Sequence, residues 1–198
     1  VLFNGSTSGG AGLFVATAGT TPVKIVQVGD AAPGGGTFST VNGFHALNNA
    51  GQVAFVATVS GGSGGGVFLA SPSGPSSYAV EAIALNGAAS PAGGTFVITT
   101  VRADAVLNDA GDVAFIADLA GGTDSGIFLK RSGQAVEAVA AQGQSAPGTA
   151  GQFSTFPHGA NTTIVGGVSL SAAARGRKNG RSATTTAFSR GARTGITS

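Results

Sequence analysis

Leu47-Asn48-Asn49-Ala50-Gly51-Gln52-Val53-Ala54-Phe55 returns sixty residues later as Leu107-Asn108-Asp109-Ala110-Gly111-Asp112-Val113-Ala114-Phe115. A phrase that recurs at so long a period marks a repeat architecture, in which one supersecondary unit stacks on the next. The phrase reads as a turn followed by a strand. Asn and Asp side chains bond their own backbone two residues on, and Gly51 and Gly111 can take positive φ without a Cβ clash. Beyond the turn, Val113, Phe115 and Ala117 share one face of an extended chain, and Ala114 and Ile116 share the other. Both faces are apolar, which predicts a strand covered on both sides, as when small sheets stack face to face.

Working outward, each unit holds four apolar segments. The first is Gly126-Ile127-Phe128-Leu129, matched by Gly66-Val67-Phe68-Leu69 and Gly12-Leu13-Phe14-Val15. The second is Ala135 to Ala141, matched by Ala79 to Leu85 and Pro22 to Val28. A Gly/Pro loop follows, then a Phe (Phe38, Phe96, Phe153) that leads into a third segment ending at Leu47 or Leu107. The fourth runs from Val53 to Val59 or from Val113 to Leu119. Strands are expected near 12–16, 22–28, 53–59, 66–70, 79–85, 113–119 and 126–130, with no helix longer than two turns in 10–150.

Four short strands per unit predict an all-β repeat protein, a partial β-propeller of about three four-stranded blades. A β-solenoid is the alternative. The repeat domain spans 1–156, with units at roughly 10–60, 61–120 and 121–156, the last incomplete. Val1-Leu2-Phe3 reads as the end of an earlier fourth strand. Closed propellers use about 4–8 blades, so the chain reads as part of a larger one. Open sheet faces and edges at the ends of the stack predict self-association.

Composition agrees with this reading. Gly accounts for 35 of 198 residues and charged residues for only 9%, yet Val, Ala, Phe and Thr are too abundant for a disordered chain. There is no Cys, so no disulfide framework. Met is absent even at position 1, which suits a mature, trimmed or internal piece. No export signal and no run of about 18 apolar residues for a membrane span is found.

The net charge of +2 conceals a division. Residues 1–174 carry eight acids and four bases, and residues 175–198 carry six bases and no acid. This basic tail, within 157–198, breaks the repeat. It reads either as a disordered basic segment or as an out-of-frame translation. For the second reading, Phe188 continues the sixty-residue spacing of Phe68 and Phe128, and a shifted frame permits the acidic residues that belong before it. No aromatic–basic interleaving points to nucleic acid, and none is expected as a partner.

Asn48-x-x-Gly51-x-x-Ala54-Phe55 and Asn108-x-x-Gly111-x-x-Ala114-Phe115 resemble the tandem NxxGxxAF repeat of exported "choice-of-anchor" bacterial proteins. The Gly-Ile-Phe-Leu and Gly-Asp-x-x-Pro-Gly elements match as well, over roughly residues 10–156. The resemblance implies an extracellular or cell-surface protein with a structural or adhesive role. It supplies no catalytic residues.

Residues able to carry chemistry are few. Gly61-Gly62-Ser63-Gly64-Gly65 has the spelling of a nucleophile elbow but lies between two expected strands, where that motif needs strand, turn and helix. His45 and His158 fall at different places in the repeat, and two lone histidines without Cys do not make a zinc site. Asp104, Asp109, Asp112, Asp118 and Asp124 cluster, and oxygen-only ligands suit Ca²⁺; Asp104, Asp109, Asp112 and Asp124 are the candidate ligands. Solubilising charge at turns is the plainer reading. Glu81 and Glu137 occupy equivalent positions in the second segment, where the first copy has Val23 or Lys24. With His45 they are the candidate catalytic groups if those strands line a channel. Two functions follow: a surface module without catalysis or cofactor, and alternatively a Ca²⁺-dependent lactonase- or esterase-type hydrolase.

Overall fold

A computed structural model describes residues 1–41, 45–99, 103–122, 124–156 and 170, apart from the side chains of 103 and 104. The tail of 157–198, with its two readings and His158, therefore lies outside the described residues except for Leu170. Every element among the described residues is a strand. In order they are β1 (Leu2–Thr7), β2 (Gly10–Val15), β3 (Val23–Gln27), β4 (Thr37–Thr40), β5 (His45–Leu47), β6 (Val53–Ser60), β7 (Gly65–Gly74), β8 (Ser77–Leu85), β9 (Thr95–Val97), β10 (Ala103–Leu107), β11 (Val113–Ala120), β12 (Ser125–Lys130) and β13 (Val136–Ala141). All seven strands expected from the sequence are present.

The strands form three antiparallel sheets. The second runs β4-β6-β7-β8 with β5 also on β6, and the third runs β10-β11-β12-β13 with β9 also on β11. The third sequence segment is thus two short strands sharing one partner, rather than a single strand. The first sheet has only β1-β2-β3. Registers identify its members. Phe3 faces Phe14 across β1 and β2 as Phe55 faces Phe68 and Phe115 faces Phe128. β1 is therefore a fourth segment, as the Val1-Leu2-Phe3 remnant suggested. The sheets are cut at a different point of the period from the sequence units: a unit runs from first segment to fourth, a sheet from third to second.

Each sheet also carries the same β-bulge, between Leu13 and Phe14, Val67 and Phe68, or Ile127 and Phe128. One extra residue on the partner strand (Ile25, Ile83 or Val139) strengthens the local twist at an identical place each time.

The two-faced strand in the opening phrase builds the core. On the second sheet, Ala54, Val56, Val67, Leu69 and Ile83 pack against Phe96, Val113, Phe115, Ala117 and Phe128 of the third. From its other face, Phe38, Val53, Phe55, Ala57, Val59, Phe68 and Ala70 pack against Leu13, Ile25 and Val26 of the first. Sheets therefore stack by their faces, and the middle one is apolar on both. Three phenylalanines recur at each joint. Phe55 and Phe68 stack with centroids 5.5 Å apart while Phe38 meets Phe68 edge-on at 5.0 Å; Phe115, Phe128 and Phe96 repeat this at 5.3 and 4.9 Å. Such offset and edge-to-face pairs add to what burial alone contributes.

Glycine in the Gly-x-Phe element has a local cause. A Cβ on Gly66 would stand 2.7 Å from the Ala84 carbonyl oxygen, and one on Gly126 3.0 Å from both the Ala140 oxygen and the Phe128 ring. The ring folds back over its own strand, and only hydrogen fits beneath it.

Candidate functional site

The Asn-x-x-Gly turns are the most highly organised polar feature among the described residues. Asn48 is buried, and its Oδ1 accepts from the Gln52 N–H at 2.9 Å. Its amide donates to Gln52 Oε1 at 2.9 Å and to the Asn108 carbonyl of the next turn at 2.9 Å. Asn108 repeats the internal part, accepting from the Ala110 and Asp112 N–H groups and donating to Asp112 Oδ2 at 3.0 Å. Gly51 and Gly111 close the turns at φ of +77° and +82°, the positive values the phrase predicted.

Successive turns also meet at the surface. The Asn49 backbone N–H and side-chain amide donate to the two oxygens of Asp109 at 2.9 and 2.8 Å. These bonds, the backbone one first, hold the Asp109 carboxyl below its ordinary value of 3.8 although the group is exposed. Tyr78 donates its hydroxyl to the Gly51 carbonyl at 3.1 Å, and burial raises its pKa.

This ladder accounts for two of the four candidate metal ligands. Asp109 receives Asn49, and Asp112 receives Asn108 together with the Ser132 N–H at 3.1 Å. Asp124 accepts from Gln142 at 3.2 Å, and Asp104 lies on β10 opposite Ile116. Among the described residues, no three His, Asp or Glu side chains gather as a metal would require.

The candidate catalytic groups are likewise dispersed. Glu81 and Glu137 sit on β8 and β13, opposite Leu69 and Leu129, and both are exposed. The register makes Val23 their counterpart in the first sheet. Glu137 forms an ion pair with Arg131, half exposed on both sides. His45 is half-buried on β5 opposite Phe55. Ser63 lies in the β6–β7 loop, a strand–turn–strand setting, and donates its hydroxyl to the Gly65 carbonyl at 3.2 Å.

Two grooves lie at equivalent joints. One, of about 550 Å³, runs between β3, the loop 30–33 and β8; the other, of about 530 Å³, between β8, the loop 88–91 and Val136 of β13. Lys24 bridges to Asp30 at 2.8 Å on the first, while the second is lined by Ala, Ile, Leu, Ser, Pro, Phe and Val. None of the residues singled out for catalysis or metal binding lines either groove. The sequence reading did not foresee the bonds between turns. The sixty-residue spacing of Asn49 and Asp109 was their signal, because equivalent positions stack at the same height.

Three antiparallel sheets, with no helix among the described residues, define an all-β class of protein. The chain belongs to a family of unknown function (DUF7453), whose model matches residues 1–187. No curated protein and no solved structure matches it. No helix among the described residues is long and apolar enough to cross a membrane.

Proposed function

We propose that this protein is a non-catalytic, exported repeat module with a structural or adhesive role at the cell surface, built as part of a β-propeller. The observation that carries the reading is how the repeat's own residues are employed. Asn48 and Asn108 tie turns, Gly66 and Gly126 admit rings, and the phenylalanines fill joints between sheets. Glu81, Glu137 and His45 lie on three different strands, β8, β13 and β5, whereas catalysis needs acid, base and nucleophile within hydrogen-bond reach of one reacting atom.

Surface location rests on the resemblance to the NxxGxxAF repeat. The propeller arrangement is supported by sheets that meet through their faces, each made of strands neighbouring in the chain and paired antiparallel. The coils of a parallel β-helix would instead pair equivalent strands of successive units.

The test is hydrolysis of a panel of lactones and esters, with added Ca²⁺ and with EDTA, beside thermal melting under the same conditions. The expected result is no turnover above buffer and no calcium-induced rise in Tm. Turnover that EDTA abolishes, together with a Tm rise of several degrees lost in Asp109→Ala/Asp112→Ala, would replace this reading with the Ca²⁺-dependent hydrolase. A ligand that binds only the folded state must raise Tm by linkage.

A further inference from the structure

Asn86-Gly87 follows β8, at the opposite end of the strands from the Asn-x-x-Gly turns. The half-buried Asn86 amide bridges two sheets. Its Nδ2 donates to the Ser63 carbonyl in the β6–β7 loop at 3.1 Å, and its Oδ1 accepts from the Ile98 N–H, just past β9 of the third sheet, at 3.1 Å. The backbone around it is tied as well. The Asn86 N–H donates to the Gly65 carbonyl at 2.9 Å, and the Gly87 N–H to the Phe96 carbonyl at 2.8 Å. The sheets approach so closely here that a Cβ on Gly65 would stand 2.9 Å from the Ile98 carbonyl oxygen. The glycine bond recurs at the equivalent places, from Gly29 to Phe38 and from Gly143 to Phe153, each at 2.8 Å. There the residue before the glycine is Val28 or Gln142, so of the three places only the one after β8 carries an asparagine.

We propose that Asn86 is a modification site: opening of the joint between the second and third sheets lets its side chain lose ammonia, and the product keeps the joint from closing as before. Asparagine before glycine suits this reaction because no Cβ hinders the glycine nitrogen. Gly87 is exposed at φ +81°, with nothing within 4 Å of where a Cβ would stand. The Gly87 nitrogen attacks Asn86 Cγ, forming a C–N bond while the bond to Nδ2 breaks. Nδ2 leaves as ammonia, taking the proton from the Gly87 nitrogen. Water then opens the cyclic imide at either carbonyl carbon and leaves aspartate or isoaspartate. In sum, one amide and one water become a carboxylate and an ammonium ion. The closed joint holds the reaction back, because the Gly87 N–H is engaged with Phe96 and both ends of the Asn86 amide are fixed by Ser63 and Ile98. The product undoes these bonds. A carboxylate turns an oxygen toward the Ser63 carbonyl where an N–H stood, so an acceptor faces an acceptor. Isoaspartate also inserts a further atom into the backbone between β8 and Gly87. The site depends neither on the absence of catalysis nor on the propeller reading.

The test is incubation of the full chain at mildly alkaline pH, folded and in guanidinium chloride. Peptide mapping by mass spectrometry separates Asn86 from the other Asn-Gly pairs of the sequence, at Asn4, Asn42 and Asn179. Asn86 should lose its amide at least about tenfold more slowly in the folded chain, because a modification that needs opening follows the open population. Ile98 is 1% exposed, and Ile98→Ala loosens the segment that Asn86 holds. That variant should speed the loss in the folded chain and leave the rate in denaturant unchanged. The purified deamidated product should melt at a lower temperature than the parent and exchange its Ile98 amide faster. The wild-type rates and the product's melting need no variant, so they decide the matter if Ile98→Ala fails to fold. Equal rates in the folded and denatured chains, a folded rate that Ile98→Ala does not move, or a deamidated chain with unchanged Tm and Ile98 exchange would each overturn the proposal.

Discussion

Phe115 shows no exposed surface and contacts rings on two neighbouring strands, so its loss leaves a void between stacked sheets. Phe115→Ala should cost about 3–5 kcal/mol in urea denaturation. Phe3→Ala, on the open side of the first sheet, should cost well under half of that in the monomer. At the turns, Gly51→Ala and Gly111→Ala force a Cβ into positive φ and should each lose roughly 1–2 kcal/mol. The added Cβ at Gly111 would stand 2.9 Å from Gln52 Oε1, the end of a flexible side chain that can shift, and the one at Gly51 3.3 Å from the Pro72 ring, so the two losses should be similar. These residues were legible in the sequence because their reasons are local: a turn needs a glycine, and an alternating apolar strand needs cover. The glycine beneath each ring was not, because its cause is the carbonyl of a strand one register away.

Between elements, the contact from turn to turn depends on charge. The Asp109 carboxyl lies below its ordinary value because Asn49 donates to its ionised form. A carboxyl depressed on folding contributes stability above its unfolded value, and that contribution disappears as pH falls through the lower folded value. Acidification below about pH 4 should therefore loosen this contact, and Asp109→Asn should remove that part of the pH dependence. The effect is expected to be small, since the group is fully exposed and screened by salt. Titrating the Asp109 carboxyl by NMR in the parent and in Asn49→Ala checks the side-chain part: the variant keeps the backbone N–H and loses only the amide, so its pKa should rise part of the way, and an unchanged value would show that the Asn49 amide contributes nothing. Asn48 acts deeper. Asn48→Ala leaves the Gln52 N–H without its acceptor and removes one of two donors from the Asn108 carbonyl, which keeps the Gly111 N–H, and about 1–3 kcal/mol should be lost. Element positions could be read from segment boundaries, yet the split of the third segment into β4 with β5, and β9 with β10, could not. The registers show it: Thr40 faces Thr58 while His45 faces Phe55, and Val97 faces Asp118 while Ala103 faces Ala117, a break that spacing along the chain does not encode. The neighbouring acids of the turn have a structural reason of their own. Asp109 and Asp112 are close in sequence because one turn needs both, and each is already occupied by an amide of its own or the preceding turn.

For the whole molecule, the central claim is a stack whose middle sheet is sealed on both faces. β6 is buried over nearly its whole length, as is β11, whereas β1 is mostly exposed. Stability should therefore be graded along the stack, as local unfolding free energies usually follow buried contact. The grading was foreseeable in kind from the two-faced Val-Ala-Phe strand. Its direction was not, because the sheets are cut between the second and third segments rather than at the ends of the sequence units. Amide hydrogen exchange of the monomeric protein, read segment by segment, tests the stack most directly. Amides of β6 and β7 should exchange slowest, with those of β11 and β12 close behind, and those of β1 should exchange fastest among the strands. Protection in β1 equal to that of β6, or fast exchange across β6 and β7, would contradict a middle sheet buried on both faces.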